Sequence, residues 1–216
     1  MVLAWCTRPP CSDFSDVPTT CLCRFVIDVA TNRVSTVDIL ASGAQLDHPR
    51  VHPRYDAVAS RFVYATCGTR RADELSVGAD ADAALHEPIR SPRPTQSFVC
   101  VDLGGGAEGG CAKGSGANGG GAEGGEIGEI VDQWHAGARR IVDEATLVAR
   151  GPGERDAWLI APVFDGATRT TSYVVLDAAN LAAGPVCELP LPTHIPWGLH
   201  GAWTDALGDA RAHVAN

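Results

Sequence analysis

The stretch LCRFVIDVATNRVSTVDI, residues 22–39, decides the fold class of this chain. Residues 24–28 and 34–39 are two runs rich in β-branched side chains, and the polar residues 30–33 lie between them. Such side chains favour extended backbone, whereas a short polar segment between two extended runs favours a turn. The stretch therefore predicts a β-hairpin with a polar turn.

Similar runs follow along most of the chain, at residues 61–66, 97–103, 129–134, 144–149, 157–164, 171–176 and 186–189. Many short strands separated by turns are typical of an all-β sandwich, barrel or propeller. No segment has convincing helical periodicity over more than two turns, and the best helical candidate is 202–214. The sequence predicts an all-β fold.

Several segments differ in composition from the strand-rich part of the chain. Residues 104–125 are more than half glycine, with GGGAEGG at 104–110 and again at 119–125, which predicts a disordered insertion in a hairpin loop. The polar composition of residues 70–96, with its acidic and proline-rich parts, predicts a second loop. Residues 1–18 are aperiodic and predict a poorly ordered lead-in, and 204–216 are a C-terminal tail.

The composition restricts the classes of partner and compartment. The net charge of −9 comes without a visible basic stripe, so no nucleic-acid partner is expected. No apolar run approaches the roughly 20 residues that a membrane-spanning helix needs. No signal peptide or transit peptide is recognised, which predicts reduced thiols and leaves plastid and cytoplasm as the expected compartments.

The cysteines predict buried thiols more readily than a metal site. Neither the Cys6 and Cys11 pair nor the Cys21 and Cys23 pair fits the two-pair spacing of a zinc site. Three further cysteines lie in or beside strand-like runs and are expected to be buried as small hydrophobic residues. These are Cys67, Cys100 and Cys187.

A second informative stretch is LPLPTHIPWGLHGAW, residues 189–203. Its prolines remove backbone donors, so neither a helix nor a central strand is expected to run through it. His200 stands between Gly198 and Gly201 in this stiff, irregular segment. Residue types alone leave two interpretations open: a metal ligand, or a loop histidine that fills a gap.

Motifs in several parts of the chain together resemble one family, the carotenoid cleavage oxygenases. Residues 195–203, IPWGLHGAW, resemble its C-terminal signature P-x-G-F-H-G-x-W/F, with Leu199 in place of the usual Phe. Residues 22–39 resemble its hairpin L-x-R-W-x-I-D-x-x-T-G-x-V, and residues 46–54, LDHPRVHPR, resemble its E-F-P-R-I-x-P-R. Further similar segments follow in the family's order at 130–134, 142–150, 156–159 and 173–178.

The resemblance implies a seven-bladed β-propeller, of which residues 19–203 form the last three blades or so. In such a propeller, four histidines from different blades hold a catalytic iron(II), and carboxylates behind them accept their remaining N–H groups. His200 matches the last of these ligands. Glu144 matches one of the carboxylates behind a ligand, and Asp47 matches another, although its side chain is one methylene shorter.

The implied activity is oxidative cleavage of a double bond in a carotenoid or apocarotenoid by dioxygen. Peripheral membrane association is assigned to regions of the family fold that this chain lacks. With one of the four ligands, the chain alone is expected to be inactive. The alternative is a degenerate or truncated propeller piece that acts at most as a binding or scaffold domain. The other histidines are expected in loops or on the surface: His48, His52, His86, His135, His194 and His213.

Overall fold

The computed structural model describes residues 2–5, 20–40, 44–68, 95–104, 126–137, 139–196, 198 and 200–204, with backbone only for 2–5, 21, 35–40 and 126–127. These residues form strands and two single turns of 3₁₀ helix, at Pro53–Tyr55 and Leu181–Ala183. The strands are β1 (Val2–Trp5), β2 (Cys21–Asp28), β3 (Arg33–Leu40), β4 (Gln45–Arg50), β5 (Phe62–Gly68), β6 (Thr95–Asp102), β7 (Glu126–Ile127), β8 (Glu129–His135), β9 (Arg140–Val142), β10 (Thr146–Ala149), β11 (Ala157–Asp165), β12 (Thr170–Asp177) and β13 (Pro185–Pro190).

The first sheet has the strand order β1-β2-β3-β7 and contains the predicted hairpin. Strands β2 and β3 pair antiparallel, and Asp28 closes their turn by accepting hydrogen bonds from the Ala30 amide and the Thr31 hydroxyl at 2.9 and 2.8 Å. β1 pairs with β2, so the predicted lead-in is wrong at Val2–Trp5. A strand-like run of only four residues carries too weak a pattern to be recognised without its partner, and the rest of 1–18 lies outside the described residues.

The second sheet has the order β4-β5-β6-β8, and all its pairs are antiparallel. The runs of β-branched and aromatic residues at 61–66 and 97–103 predict β5 and β6 correctly, and both strands are buried along nearly their whole length. Strand β4 is not evident from the sequence because a proline interrupts its pattern and its register shifts between Asp47 and Arg50. A bulge of this kind allows an edge strand to contain a proline.

The third sheet has the order β10-β11-β12-β13, and β9 also pairs with β11. The predicted strands at 157–164 and 171–176 are confirmed as the central hairpin of this sheet. β13 is an end strand of this order, and most of its residues are exposed. Cys187 lies on it and is exposed, so the prediction of a buried thiol is wrong there, whereas Cys67 and Cys100 are buried as expected.

Two hydrophobic clusters join the sheets. The larger one lies between the second and third sheets and includes Tyr64, Phe98, Leu159 and Leu176, all at most 1% exposed. A smaller cluster joins the first and second sheets through Leu22, Leu46, Val63, Val99 and Val101.

Burial raises the pKa of the Cys100 thiol to about 11 and that of Cys67 to about 12, so both thiols stay protonated at neutral pH. The two cysteines thus act as apolar core residues.

Polar contacts also join the second and third sheets. Asp132 on β8 accepts hydrogen bonds from the Arg155 guanidinium at 2.7 Å and from the amides of Leu181 and Ala182 at 2.9 and 3.0 Å.

His52, expected in a loop or at the surface, is fully buried. Its Nδ1 accepts a hydrogen bond from the Arg54 amide, and its Nε2–H donates to the Asp156 carbonyl. Because both ring nitrogens are satisfied, burial of this histidine costs little.

We expect Asp132→Asn to lower the free energy of unfolding by about 1–2 kcal/mol, because the change removes the charge that strengthens three hydrogen bonds at a nearly buried site. Urea denaturation measures the difference. Asp56→Asn, on an exposed turn, is the matched control and should change stability by less than about 0.5 kcal/mol. Equal effects of the two substitutions would show that Asp132 does not join the sheets.

Candidate metal centre

The loop that carries His200 begins where β13 ends and is attached to the third sheet at its start. The Leu191 amide donates to the Thr171 carbonyl at 2.9 Å, and the Ile195 amide donates to the Thr171 hydroxyl at 3.0 Å. Residues 191–196, 198 and 200–204 have no regular secondary structure, as the prolines predict. Residues 202–204 of the helical candidate are irregular, and 205–214 lie outside the described residues.

Two adjacent carboxylates hold this loop on either side of His200. Asp143 and Glu144 directly follow β9. Asp143 Oδ2 accepts a hydrogen bond from the Gly198 amide at 3.3 Å, and Glu144 Oε2 accepts one from the Gly201 amide at 3.1 Å. The loop therefore has a defined position relative to the third sheet although it contains no secondary structure.

The ring of His200 lies beside the carboxylate of Glu144. His200 Nδ1 is 3.2 Å from Glu144 Oε2, and the two side chains differ sharply in exposure, at 77% for His200 and 9% for Glu144. The other carboxylate oxygen, Oε1, accepts a hydrogen bond from the Arg50 guanidinium at 2.6 Å. A nearly buried carboxylate thus contacts one edge of an imidazole whose remaining surface is largely open.

This arrangement has the chemistry of a metal-ligating histidine. A carboxylate that accepts the Nδ1–H bond fixes the tautomer in which Nε2 carries the free lone pair, and it also fixes the direction of the ring. Because the His200 side chain is 77% exposed, the ring does not fill a gap between buried side chains. Within the described part of the chain, no group of three or more His, Cys, Asp or Glu residues could hold a metal by itself. The residues fit one ligand and its hydrogen-bond acceptor.

Asp47 has a different environment from Glu144. Its Oδ1 accepts a hydrogen bond from the backbone amide of His48 at 2.8 Å, within the irregular part of β4. His48 has a φ of +49°, which is uncommon for a residue with a side chain. Of the contacts that the structure describes, the one made by this carboxylate is to the backbone and not to a histidine ring.

The remaining described histidines have partners of their own. His48 Nδ1 is 3.2 Å from the Thr66 hydroxyl, and His135 Nδ1 is 3.2 Å from the Gln96 carbonyl. His194 is exposed, and its ring packs edge-on against Phe164. His86 and His213 lie outside the described residues, as do the glycine-rich segment 105–125 and most of the polar loop at 70–96.

The family profile described as "Retinal pigment epithelial membrane protein" matches residues 6–205 of this chain. The chain belongs to this family, the carotenoid cleavage oxygenases. The family assignment confirms the resemblance that the hairpin at 22–39 and the signature at 195–203 predict, and it makes oxidative cleavage the general reaction of the relatives.

Individual relatives match this chain over different lengths. Lignostilbene-alpha,beta-dioxygenase isozyme III of Sphingomonas paucimobilis is 40% identical over 77 residues, which are 35% of this chain and 16% of that protein. Apocarotenoid-15,15'-oxygenase of Synechocystis is 26% identical over 184 residues, which are 84% of this chain and 29% of that protein.

A solved structure of cobalt-substituted Synechocystis apocarotenoid oxygenase has a TM-score of 0.62 and 23% identity, and the match covers 89% of this chain and 32% of that chain. The likeness shows a shared fold. This chain spans about a third or less of the length of these relatives.

Two residues of the site are not evident from the sequence. Arg50 contacts Glu144 from a different sheet, and Asp143 contacts the Gly198 amide. The adjacent acidic pair at 143–144, directly before a strand-like run, is a signal that could have drawn attention to Asp143. No signal in the sequence pairs Arg50 with a residue 94 positions away.

Among the described residues, no helix is long and apolar enough to cross a membrane.

Proposed function

We propose that this chain supplies His200 as an iron(II) ligand, and Glu144 as the acceptor behind it, in a non-haem dioxygenase that cleaves a double bond of a carotenoid or apocarotenoid. The observation that carries the proposal is the exposed imidazole whose Nδ1 lies 3.2 Å from a carboxylate that is 9% exposed. Family membership supports the reaction class, and the cobalt-substituted relative of the same fold supports a metal-dependent site.

Each residue of the site has a defined task. Glu144 accepts the Nδ1–H of His200 and so presents Nε2 outward as the ligand atom. The amides of Gly198 and Gly201 bind the two carboxylates, which prevents the loop from moving away from the third sheet. Iron(II), when bound, supplies the activation of dioxygen. The chain itself orients one ligand and keeps its tautomer fixed.

The three sheets correspond, in this proposal, to consecutive blades of a seven-bladed propeller, formed by residues 19–203 together with β1. Each contains a path of four hydrogen-bonded strands, and each hydrophobic cluster joins sheets that follow one another in the chain. The shared fold with the apocarotenoid oxygenase supports this arrangement. In a propeller the His200 loop would face the axis, where ligands from the other blades also converge. Asp47 remains a proposal for the acceptor behind one of those ligands.

The substrate class has two candidates among the relatives. The apocarotenoid oxygenase matches 84% of this chain, which supports a carotenoid or apocarotenoid. The lignostilbene dioxygenase is more similar over a shorter segment, at 40% identity, which supports an aryl alkene as the second candidate.

The assay uses the assembled protein, meaning this chain together with the remaining part of the family fold. Turnover of an apocarotenal but not of a stilbene supports the first class, and the reverse result supports the second.

We expect the 216-residue chain on its own to show no measurable cleavage of either substrate with added iron. A single imidazole that is 77% exposed does not hold iron(II) in competition with water. The test is product formation by the purified chain, with the assembled protein as the positive control. Cleavage at a comparable rate would contradict the proposal that His200 shares its metal with ligands from other blades. Stable binding of a partner protein by the metal-free chain would favour the alternative, in which the chain is a binding or scaffold domain.

We expect Glu144→Gln to lower iron affinity and turnover of the assembled protein by roughly 10–100-fold, which is less than the loss of a ligand. Gln retains an oxygen that accepts the Nδ1–H bond, but it lacks the negative charge that strengthens this bond. Glu129→Gln, on the exposed face of β8, is the matched control. If the control and Glu144→Gln retain iron equally well, Glu144 does not act behind a ligand.

A further inference from the structure

Arg50 connects the second sheet to the His200 site. Its Nη2 donates to Glu144 Oε1 at 2.6 Å and lies 3.4 Å from the Gly201 carbonyl. The Arg50 side chain is 36% exposed and the Glu144 side chain 9% exposed, so this ion pair is partly shielded from water. A charge-assisted hydrogen bond at this distance is among the stronger polar contacts that a protein forms.

The irregular geometry of β4 directs Arg50 toward the site. Asp47 pairs with Thr66, and Arg50 pairs with Tyr64, so β4 uses one residue more than β5 over this interval. The extra residue forms a bulge at His48, whose amide donates to the Asp47 carboxylate. A one-residue bulge reverses the alternation of the following side chains and often re-aims one of them at a functional site. Without it, Arg50 would have the opposite orientation.

The two oxygens of Glu144 have different principal partners. Oε1 accepts from Arg50 at 2.6 Å and is 3.4 Å from His200 Nδ1, whereas Oε2 accepts from the Gly201 amide and is 3.2 Å from Nδ1. Rotation of the carboxylate would break the contacts to Arg50 and Gly201 that hold it beside the ring. Arg50 Nε is buried without a hydrogen-bond partner among the described residues, so Nη2 makes the contacts of this guanidinium that the structure describes.

We infer that Arg50 is a positioning residue, which holds the Glu144 carboxylate so that Oε2 faces His200 Nδ1 and Nε2 stays available to the metal. The inference rests on the proposed function of His200. Arg50 acts through Glu144 and does not contact the metal or the substrate. Loss of Arg50 leaves a nearly buried carboxylate without its cation and free to turn away from the ring.

The test compares Arg50→Met, Arg50→Lys and the control Arg54→Met, an exposed arginine on the 3₁₀ turn that follows β4. The assembled protein is loaded with cobalt(II), and the rate of metal loss to a chelator is measured. Arg50→Met should release the metal about tenfold faster, at the lower end of the range for groups behind a ligand. Arg50→Lys should restore most of the retention because its ammonium still pairs with Glu144, and Arg54→Met should match the unmodified protein.

A double-mutant cycle separates positioning from a general structural role. If Arg50 acts through Glu144, Arg50→Met should change metal release less than twofold in a Glu144→Gln background. Independent, multiplying effects of the two substitutions would overturn the inference, and so would equal release by Arg50→Met and Arg54→Met. His200→Ala in the same assay keeps the two proposals apart. Metal loss in His200→Ala with full retention in Arg50→Met refutes the inference alone, whereas retention in His200→Ala refutes the proposed function.

Discussion

Replacing His200 by alanine is expected to remove iron from the assembled protein and to lower turnover by more than about 100-fold, since groups that only support a ligand already account for 10–100-fold. Among the histidines that the structure describes, His200 is the one whose ring is largely exposed and lies beside a nearly buried carboxylate. Alanine removes the donor atom outright, and the remaining loop contacts to Asp143 and Glu144 are formed by backbone amides, which the substitution retains. Iron content and initial rate, measured on the same preparation, give both effects.

His194→Ala is the matched control for this prediction. His194 lies in the same loop and is exposed, but its ring packs against Phe164 and not against a carboxylate. The control should keep its iron and its turnover. Full iron occupancy in His200→Ala would show that His200 is a loop residue without a role in metal binding.

Replacing Leu159 by alanine is expected to lower the free energy of unfolding by about 2–5 kcal/mol, the range for truncating a fully buried leucine. Leu159 lies on β11, is 0% exposed, and belongs to the cluster that joins the second and third sheets. The cost combines the lost burial of apolar surface with the cavity that rigid neighbouring strands cannot fill. Urea denaturation followed by circular dichroism measures the change.

Leu189→Ala makes the same chemical change on the edge strand β13, where the leucine is 53% exposed. It should cost less than about 1 kcal/mol, because little apolar surface returns to water. A similar loss of stability for the two variants would contradict the packing of the second and third sheets. The pair therefore tests the arrangement that places the His200 loop next to Arg50.

Local sequence patterns predict much of the fold but little of its packing. The hairpin at 22–39 and the pair at 157–164 and 171–176 are evident because alternation and turn residues act over a few positions. Strand β4 is hidden because the energy that forms it comes from pairing with β5 and from a bulge, neither of which leaves a local signal. Exposure of Cys187 and burial of His52 likewise depend on which strand is the edge and on which backbone groups lie nearby.

The candidate site is predictable only in part, for the same physical reason. His200 and Glu144 are recognised through their resemblance to family motifs, and no spacing rule would pair residues 56 positions apart. Arg50 and Asp143 contact the site through folding of separate strands, so periodicity does not reveal them. The described contacts place Arg50, Glu144 and His200 in one hydrogen-bonded series.

The proposed site requires that His200 binds a metal through Nε2 while Nδ1 donates to Glu144. A crystal structure of the cobalt-loaded assembled protein, with anomalous diffraction at the cobalt edge, tests it most directly. We predict an anomalous peak bonded to His200 Nε2, with Nδ1 still within hydrogen-bond distance of Glu144. A peak bonded to Nδ1, or a peak remote from His200, would contradict the account.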